Sequence, residues 1–126
     1  MNIYIYNKNF FKESKEVQKA IVSGVDCLYN RIKLYENQNI EFGKIFNDPK
    51  VKYDKHGNFY TLKFQKLNMQ IRLLYSYLII DSTPVIIVAD YFIIKKNSKE
   101  YIAKFDYVNN FNPFEIYEQS EIVCSA

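Results

Sequence analysis

The chain has 126 residues, of which 48% are hydrophobic and 25% charged, enough for one domain with a sizeable core. Its formal net charge of +3 is far below that of proteins that coat DNA, although it permits a polyanionic partner. Cys27 and Cys124 stand far apart with no CxxC or Cys/His cluster, so the sequence favours reduced thiols over a zinc site. We find no signal-peptide core and no apolar run long enough to cross a membrane, and we expect a soluble, cytoplasmic protein.

The N-terminal third predicts a strand followed by a long helix. Alternation in NIYIY (2–6) predicts a short strand, and Asn9 could cap the helix that follows. From about Phe11 to Tyr35, apolar residues recur at steps of three and four, which predicts one helix whose Gly24 marks a close contact or a break. We assign a further short helix to 36–49. The apolar face of the long helix comprises Val17, Ala20, Ile21, Val25, Leu28, Ile32 and Tyr35.

The middle of the chain changes to a period of two, which predicts antiparallel strands. Residues 51–64 form a predicted hairpin around His56-Gly57-Asn58, and 69–80 form the next strand. After a turn at 81–84, the run 85–94 is apolar on both faces, as in a central strand. Alternation places Thr61, Lys63 and Gln65 on one face of their strand, and Gln70, Arg72, Leu74 and Ser76 together on one face of the next.

The C-terminal part predicts a last helix that Ser98 caps and Pro113 ends, followed by an irregular acidic tail. The predicted fold is therefore α+β: a small antiparallel sheet of three to four strands plus an N-terminal strand, packed on a long N-terminal helix, with a C-terminal helix. We divide the chain into one domain at 1–113 and an acidic tail at 114–126.

Arg72 is one of only two arginines and lies inside the apolar strand QIRLLYSY (70–77). A guanidinium in such a strand needs an anion, a group of carbonyls or a route to water. If the polar residues of neighbouring strands share its face, that side of the sheet is an open basic surface suited to a phosphodiester backbone. The other basic residues that could contribute are Lys52, Lys55, His56, Lys63, Lys66, Lys95 and Lys96.

Each of these residues also has a purely structural interpretation. Arg72 could pair with a carboxylate such as Asp90 on the neighbouring strand. Lys95 and Lys96 could simply end a strand at the surface, and His56 could be a solvated turn residue. Phosphate-loop, GxSxG and HExxH motifs are absent, and a Cys27–His56 nucleophile pair is poorly supported because Cys27 falls within the long helix.

The order of elements, with IRLLYSY (71–77) and VIIVADYFIIKKNSKEYIAKF (85–105), resembles the RelE/ParE superfamily of toxins from type II toxin–antitoxin modules, and the HigB-like branch in particular. The resemblance covers roughly residues 50–110. In that branch, a first strand carries a glycine, an aromatic residue and a leucine before a cation. A second strand then reads Arg–aliphatic–x–Tyr, and a third strand ends in Phe–x–Lys–Lys. The matching residues here, with one insertion in the first and third pieces, are Gly57, Tyr60, Leu62, Lys63, Arg72, Leu73, Leu74, Tyr75, Phe92, Lys95 and Lys96.

This resemblance implies a metal-independent endoribonuclease without a cofactor, which cuts mRNA on the ribosome and is silenced by a cognate antitoxin that it binds in a complex. The ribose 2′-hydroxyl would attack the adjacent phosphate while cations stabilise the phosphorane. Carried over by position, the catalytic residues would be Arg72, Lys63, Lys95 and Lys96. Residues that would contact the RNA are Lys52, Lys55, Lys66, His56 and Tyr101.

The sequence departs from the branch in lacking a histidine near the last predicted strand, where an acid is expected. The alternative function is therefore a non-catalytic binder on the same scaffold, such as a DNA gyrase poison or a phage or plasmid regulatory protein. A plain interaction domain is a third possibility.

Overall fold

A computed structural model describes residues 2–39, 54–56, 59–66, 68–94 and 111–124, with the side chains of 54–56, 94 and 124 left out of the description. These residues form a six-stranded sheet with a long helix on one face, which confirms the predicted α+β class. The elements in chain order are β1 (Asn2–Ile5), a 3-10 helix (Lys8–Lys12), α1 (Lys15–Asn37), β2 (Asp54–His56), β3 (Phe59–Lys66), β4 (Met69–Ile80), β5 (Thr83–Ile94), α2 (Pro113–Glu118) and β6 (Glu121–Cys124). The strand order in the sheet is β2-β3-β4-β5-β1-β6.

The start of α1 differs from its prediction. Asn7, not Asn9, caps the 3-10 helix by accepting a hydrogen bond from the Asn9 N–H at 3.0 Å. Glu13 and Ser14 are then extended, which separates the 3-10 helix from α1. The Ser14 Oγ accepts from the Val17 N–H at 3.3 Å and so satisfies one of the free amides of the first turn. Asn7 and Ser14 therefore cap two successive helices, where the sequence suggested a single cap at Asn9.

Gly24 marks a close contact rather than a break. The helix continues through it, and a methyl group at this position would overlap the ring of Phe64 on β3. The absence of a side chain thus lets α1 approach the sheet at this point. The predicted apolar face is confirmed, since Ala20, Ile21, Val25, Leu28 and Ile32 are buried against the sheet.

Two tyrosines attach α1 to the sheet near its ends. The Tyr91 hydroxyl donates to Glu13 Oε1 at 2.9 Å, just before the helix begins. The Tyr77 hydroxyl donates to Glu36 Oε1 at 3.0 Å, in the last turn. Because both carboxylates accept from largely buried hydroxyls, the helix is fixed in its direction across the strands as well as packed against them.

The central hairpin joins β4 to β5 through Asp81 and Ser82, whose φ angles of 49° and 65° lie in the left-handed region. Two consecutive residues of this kind make a type I′ turn, which matches the twist of a hairpin. The predicted turn at 81–84 was therefore too long, because Thr83 and Pro84 already pair with Ile80 and Ile79. The pairing shifts register at Leu74/Tyr75, where Ala89 is the extra residue of a bulge in β5.

The C-terminal residues are not the irregular tail that we predicted. Asn112 caps α2 through a 2.9 Å bond from the Phe114 N–H, and Pro113 begins this helix instead of ending one. β6 then pairs antiparallel with β1, which itself runs parallel to β5 and makes the sheet mixed. The predicted helices within 36–49 and from Ser98 to Pro113 fall mostly on 40–49 and 98–110, which lie outside the described residues.

Side chains cover both faces of the sheet. On the face that packs against α1, called here the α1 face, Ile3, Ile71, Leu73, Tyr75 and Val88 belong to the larger core cluster. On the opposite face, called here the α2 face, a second cluster gathers residues of β3, β4, β5 and α2. Its buried members are Phe59, Leu74, Ile87, Ala89 and Ile116. This second face is therefore not the open basic surface that we predicted, because apolar side chains and α2 occupy part of it.

Candidate functional site

Four buried polar residues surround Leu74 on the α2 face. Thr61 of β3 and Asp90 of β5 lie directly opposite Leu74, while Arg72 and Ser76 lie two positions away along β4. Thr61, Arg72 and Ser76 are each 3% exposed and Asp90 is 8% exposed, and they are the buried polar residues of the described part of the chain. Buried polar groups are costly unless they are satisfied, so their concentration at one place identifies the candidate site.

Lys63 extends this site toward solvent. It pairs directly with Arg72 across β3 and β4, and its side chain is exposed. Like charges that lie directly opposite each other in a sheet are unfavourable. Arg72 does have an interaction partner in the structure, although its buried Nε makes no hydrogen bond to a described residue. Arg72 and Lys63 thus place two cationic side chains next to each other on this face, one buried and one exposed.

Asp90 is the buried carboxylate of the site. Its Oδ1 accepts from the Asn7 side-chain amide at 2.9 Å and from the Tyr91 N–H at 2.8 Å, so its orientation is fixed from two sides. The register places Asp90 diagonally across from Arg72 on the same face, since Arg72 faces Phe92 and Leu74 faces Asp90. A long side chain can reach across such a diagonal. The arrangement is therefore compatible both with an ion pair and with two groups acting on one substrate.

Three tyrosines of the α1 face are unsuited to proton transfer near neutral pH. Burial raises the pKa of Tyr75 above its ordinary value of 10.0, with a further contribution from Tyr60. The pKa values of Tyr77 and Tyr91 are also raised, first by burial and then by the carboxylates of Glu36 and Glu13, to which their hydroxyls donate. These three hydroxyls thus remain neutral, and those of Tyr77 and Tyr91 donate the hydrogen bonds that hold α1.

The remaining residues of the predicted site are distributed over several places. Lys66 is exposed and stands three positions after Lys63 in β3. Because successive side chains of a strand point to opposite faces, Lys66 lies on the α1 face and not beside Arg72. Lys55 and His56 lie in β2 opposite Tyr60 and Phe59. Lys52, Lys95, Lys96 and Tyr101 lie outside the described residues. The structure thus brings Arg72 and Lys63 together, and their roles remain predictions.

Sequence reasoning missed three members of this site. Alternation put Thr61 and Ser76 on polar faces of their strands, but neither was recognised as a site residue, although a hydroxyl in an apolar strand is a usable signal. Asn7 carries no such signal, because it reaches Asp90 from a position 83 residues away in the chain. Only the pairing of β1 beside β5 brings it there.

Comparisons with protein-family models, with curated proteins and with solved structures give no significant match. Within the described ranges, no three or more His, Cys, Asp or Glu side chains gather in a way that could hold a metal ion. Among the helices that the structure describes, none has the length and apolar character needed to span a membrane.

Proposed function

We propose that this chain is a toxin of a type II toxin–antitoxin module, a RelE/HigB-like endoribonuclease that cuts mRNA on the ribosome without a metal. The observation that carries the proposal is the direct pairing of Lys63 with Arg72 on the α2 face, beside the buried carboxylate of Asp90. A cation pair next to a carboxylate can supply a base and stabilise the phosphorane without a metal. The described succession of β1, α1 and the antiparallel strands β2 to β5 also agrees with the first part of the element order on which the family resemblance rests.

The chemistry follows from the charges. The ribose 2′-hydroxyl attacks the neighbouring phosphorus, and the 5′-oxygen leaves with a proton. Lys63, which is exposed, meets the phosphate first, and Arg72 stabilises the extra negative charge of the phosphorane. Asp90 is the buried carboxylate available to accept the proton of the 2′-hydroxyl, and the exposed ammonium group of Lys63 can donate the proton with which the 5′-oxygen leaves. The antitoxin, the ribosome and mRNA are the partners that this function entails.

The burial of Arg72 favours a second candidate. A guanidinium that is 3% exposed meets a phosphate only after the groups above it move. A protein that uses the same scaffold without cleavage, such as a gyrase poison or a regulatory binder, needs no such access. In that case Arg72 and Asp90 would serve the fold and Lys63 would serve a binding surface.

Primer extension on a reporter message in a translating extract distinguishes the two candidates. The wild type is compared with Arg72→Ala, with Arg72→Lys, which keeps the charge, and with Lys63→Gln, an exposed change that leaves the core intact. Lys19→Gln, an exposed change on α1, is the matched control. Circular dichroism and thermal unfolding of each variant establish that it is folded.

The proposal predicts new 5′ ends that require the ribosome, vanish with Arg72→Ala, decline with Lys63→Gln and persist with Lys19→Gln. Uncut message in the presence of folded, growth-arresting wild-type protein would reject cleavage. Accumulation of cleaved DNA in arrested cells would then identify the gyrase poison.

A further inference from the structure

The 3-10 helix lies against Asp90 and Tyr91 of β5 at three successive points. At its N-terminus, the Asn7 side-chain amide donates to Asp90 Oδ1 at 2.9 Å. In its middle, the buried ring of Phe10 meets the Tyr91 ring edge-on, with the two centroids 6.5 Å apart. At its C-terminus, Glu13 accepts a 2.9 Å hydrogen bond from the Tyr91 hydroxyl. Because the last two contacts do not involve Asn7, they hold the helix and thereby fix Asn7 beside Asp90.

The direction of the hydrogen bonds at Asn7 follows from groups that can only donate. The Asn9 backbone N–H donates to Asn7 Oδ1 at 3.0 Å, so the other end of this amide is the NH₂ group that donates to Asp90. The Tyr91 backbone N–H donates to the same Asp90 Oδ1 at 2.8 Å. Oδ1 of Asp90 therefore accepts from two obligate donors, and it cannot take up a proton without losing one of these hydrogen bonds.

This arrangement gives different tasks to the two oxygens of the Asp90 carboxylate. A carboxylate oxygen has two lone pairs in its plane, and both of those on Oδ1 are engaged. Rotation of the carboxylate about its Cβ–Cγ bond would break both hydrogen bonds, so its plane is fixed. A proton taken from a ribose 2′-hydroxyl therefore goes to Oδ2, where it displaces neither donor.

We propose that Asn7 is a positioning residue of the candidate site, which holds the Asp90 carboxylate so that Oδ2 receives the proton of the attacking hydroxyl. The inference rests on the proposed function and adds a residue to it. As O2′ bonds to phosphorus, its proton passes to Asp90 Oδ2, and the P–O5′ bond breaks while O5′ takes a proton from the Lys63 ammonium group. The products are a 2′,3′-cyclic phosphate and a 5′-hydroxyl end, and proton exchange with water restores both side chains. Asn7 contacts none of the reacting atoms and acts only through Asp90.

Two substitutions separate the donor of Asn7 from its function as a cap. Asn7→Ser keeps an oxygen that can accept from the Asn9 N–H, but the serine side chain is one bond too short to reach Asp90. Asn7→Asp keeps the size and the cap, and it turns a second carboxylate toward Asp90 in place of the amide. Asn9→Ala is the matched control, because it removes an exposed side chain from the same 3-10 helix and leaves the Asn9 backbone N–H in place.

The first measurement is the position of the Tyr91 backbone amide in ¹H–¹⁵N spectra of the full chain, since this N–H donates to Asp90. We expect the Tyr91 resonance to move in both Asn7 variants and to keep its position in Asn9→Ala. The Glu13 amide, which bonds to the Phe10 carbonyl, should stay in place in all three and so report an intact 3-10 helix. A Tyr91 amide that does not move in Asn7→Ser would overturn the proposal, because Asp90 would then keep its orientation without Asn7.

The second measurement is the single-turnover rate of mRNA cleavage on programmed ribosomes at increasing concentrations of the chain. The rate constant at saturation should fall by about 10–100-fold in Asn7→Ser and at least as far in Asn7→Asp, because the proton acceptor is misplaced. The half-saturating concentration should stay within about twofold, since Asn7 does not contact the RNA. Asn9→Ala should change neither quantity by more than about twofold. A higher half-saturating concentration with an unchanged rate constant would assign Asn7 to binding and overturn the positioning role.

The positioning role and the proposed function can fail separately in these two measurements. Cleavage that persists at the wild-type rate in Asn7→Ser would uphold the proposed function and reject the positioning role. Wild-type protein that leaves the message uncut would reject the proposed function, and the proton-accepting role of Asp90 with it. The Tyr91 amide would then decide by itself whether Asn7 fixes the carboxylate.

Discussion

Replacing Gly24 with alanine tests how closely α1 approaches β3. In an unobstructed helix interior this substitution stabilises a protein by about 0.5–1 kcal/mol, since glycine is the poorer helix former. Here the new methyl overlaps the Phe64 ring, and overpacking of this kind costs about 1–3 kcal/mol. The two effects together predict that Gly24→Ala lowers the free energy of unfolding by about 1 kcal/mol, opposite in sign to helix propensity.

The reasoning is best tested as a double-mutant cycle with Phe64→Leu, which removes the ring atoms that the methyl would meet. In that background, Gly24→Ala should recover its helical gain of about 0.5–1 kcal/mol, giving a coupling of about 2 kcal/mol between the two positions. Urea unfolding followed by circular dichroism provides the free energies. Asn30→Ala, on the exposed side of α1, reports helix propensity alone. A stabilising Gly24→Ala in the wild-type background, with additive effects in the cycle, would refute the close contact.

Three further predictions concern the hydrogen bonds and charges. Tyr91→Phe removes the donor to Glu13 and should lower the free energy of unfolding, measured in urea, by about 1.5–3 kcal/mol. An unchanged midpoint of urea unfolding would show that this hydrogen bond does not hold α1. Because burial raises the pKa of Tyr75, Tyr77 and Tyr91 in the fold, the unfolded chain releases these protons first. The free energy of unfolding therefore keeps its full value below about pH 10 and falls as the pH rises further, and we expect a less steep fall in Tyr77→Phe. A free energy of unfolding that stays constant between about pH 9 and 12 would contradict this. Asp90→Asn keeps an acceptor for Asn7 and Tyr91 but removes the charge beside Arg72. We expect a loss of about 3 kcal/mol that is coupled to Arg72→Gln in a cycle, whereas additive losses would exclude an ion pair in the resting protein.

Local patterns in the sequence were sufficient to predict β4 and the buried side of α1. The strand Met69–Ile80 has the predicted limits, because alternation and the flanking turns act within a few residues. Such patterns could not predict β6, whose four residues pair with β1 at the other end of the chain, as Cys124 does with Asn2. A strand this short has no recognisable period, and only the free edge of β1 makes it a strand. Pro113 was misread for a related reason, since proline ends one helix and begins another equally well.

The candidate site depends on a feature that alternation cannot reveal. Strict alternation along 85–94 would put Tyr91 on the face of Ile87 and Asp90 on the face of Val88. The bulge at Ala89 reverses this order, so Tyr91 joins the α1 core and donates to Glu13, while Asp90 joins Ile87 and Phe92 on the α2 face. One extra residue therefore does two things at once: it supplies a hydrogen bond that holds the helix, and it places a carboxylate diagonally across from Arg72. Bulges that re-aim a side chain in this way are common beside functional sites, and this one joins the packing of α1 to the composition of the site.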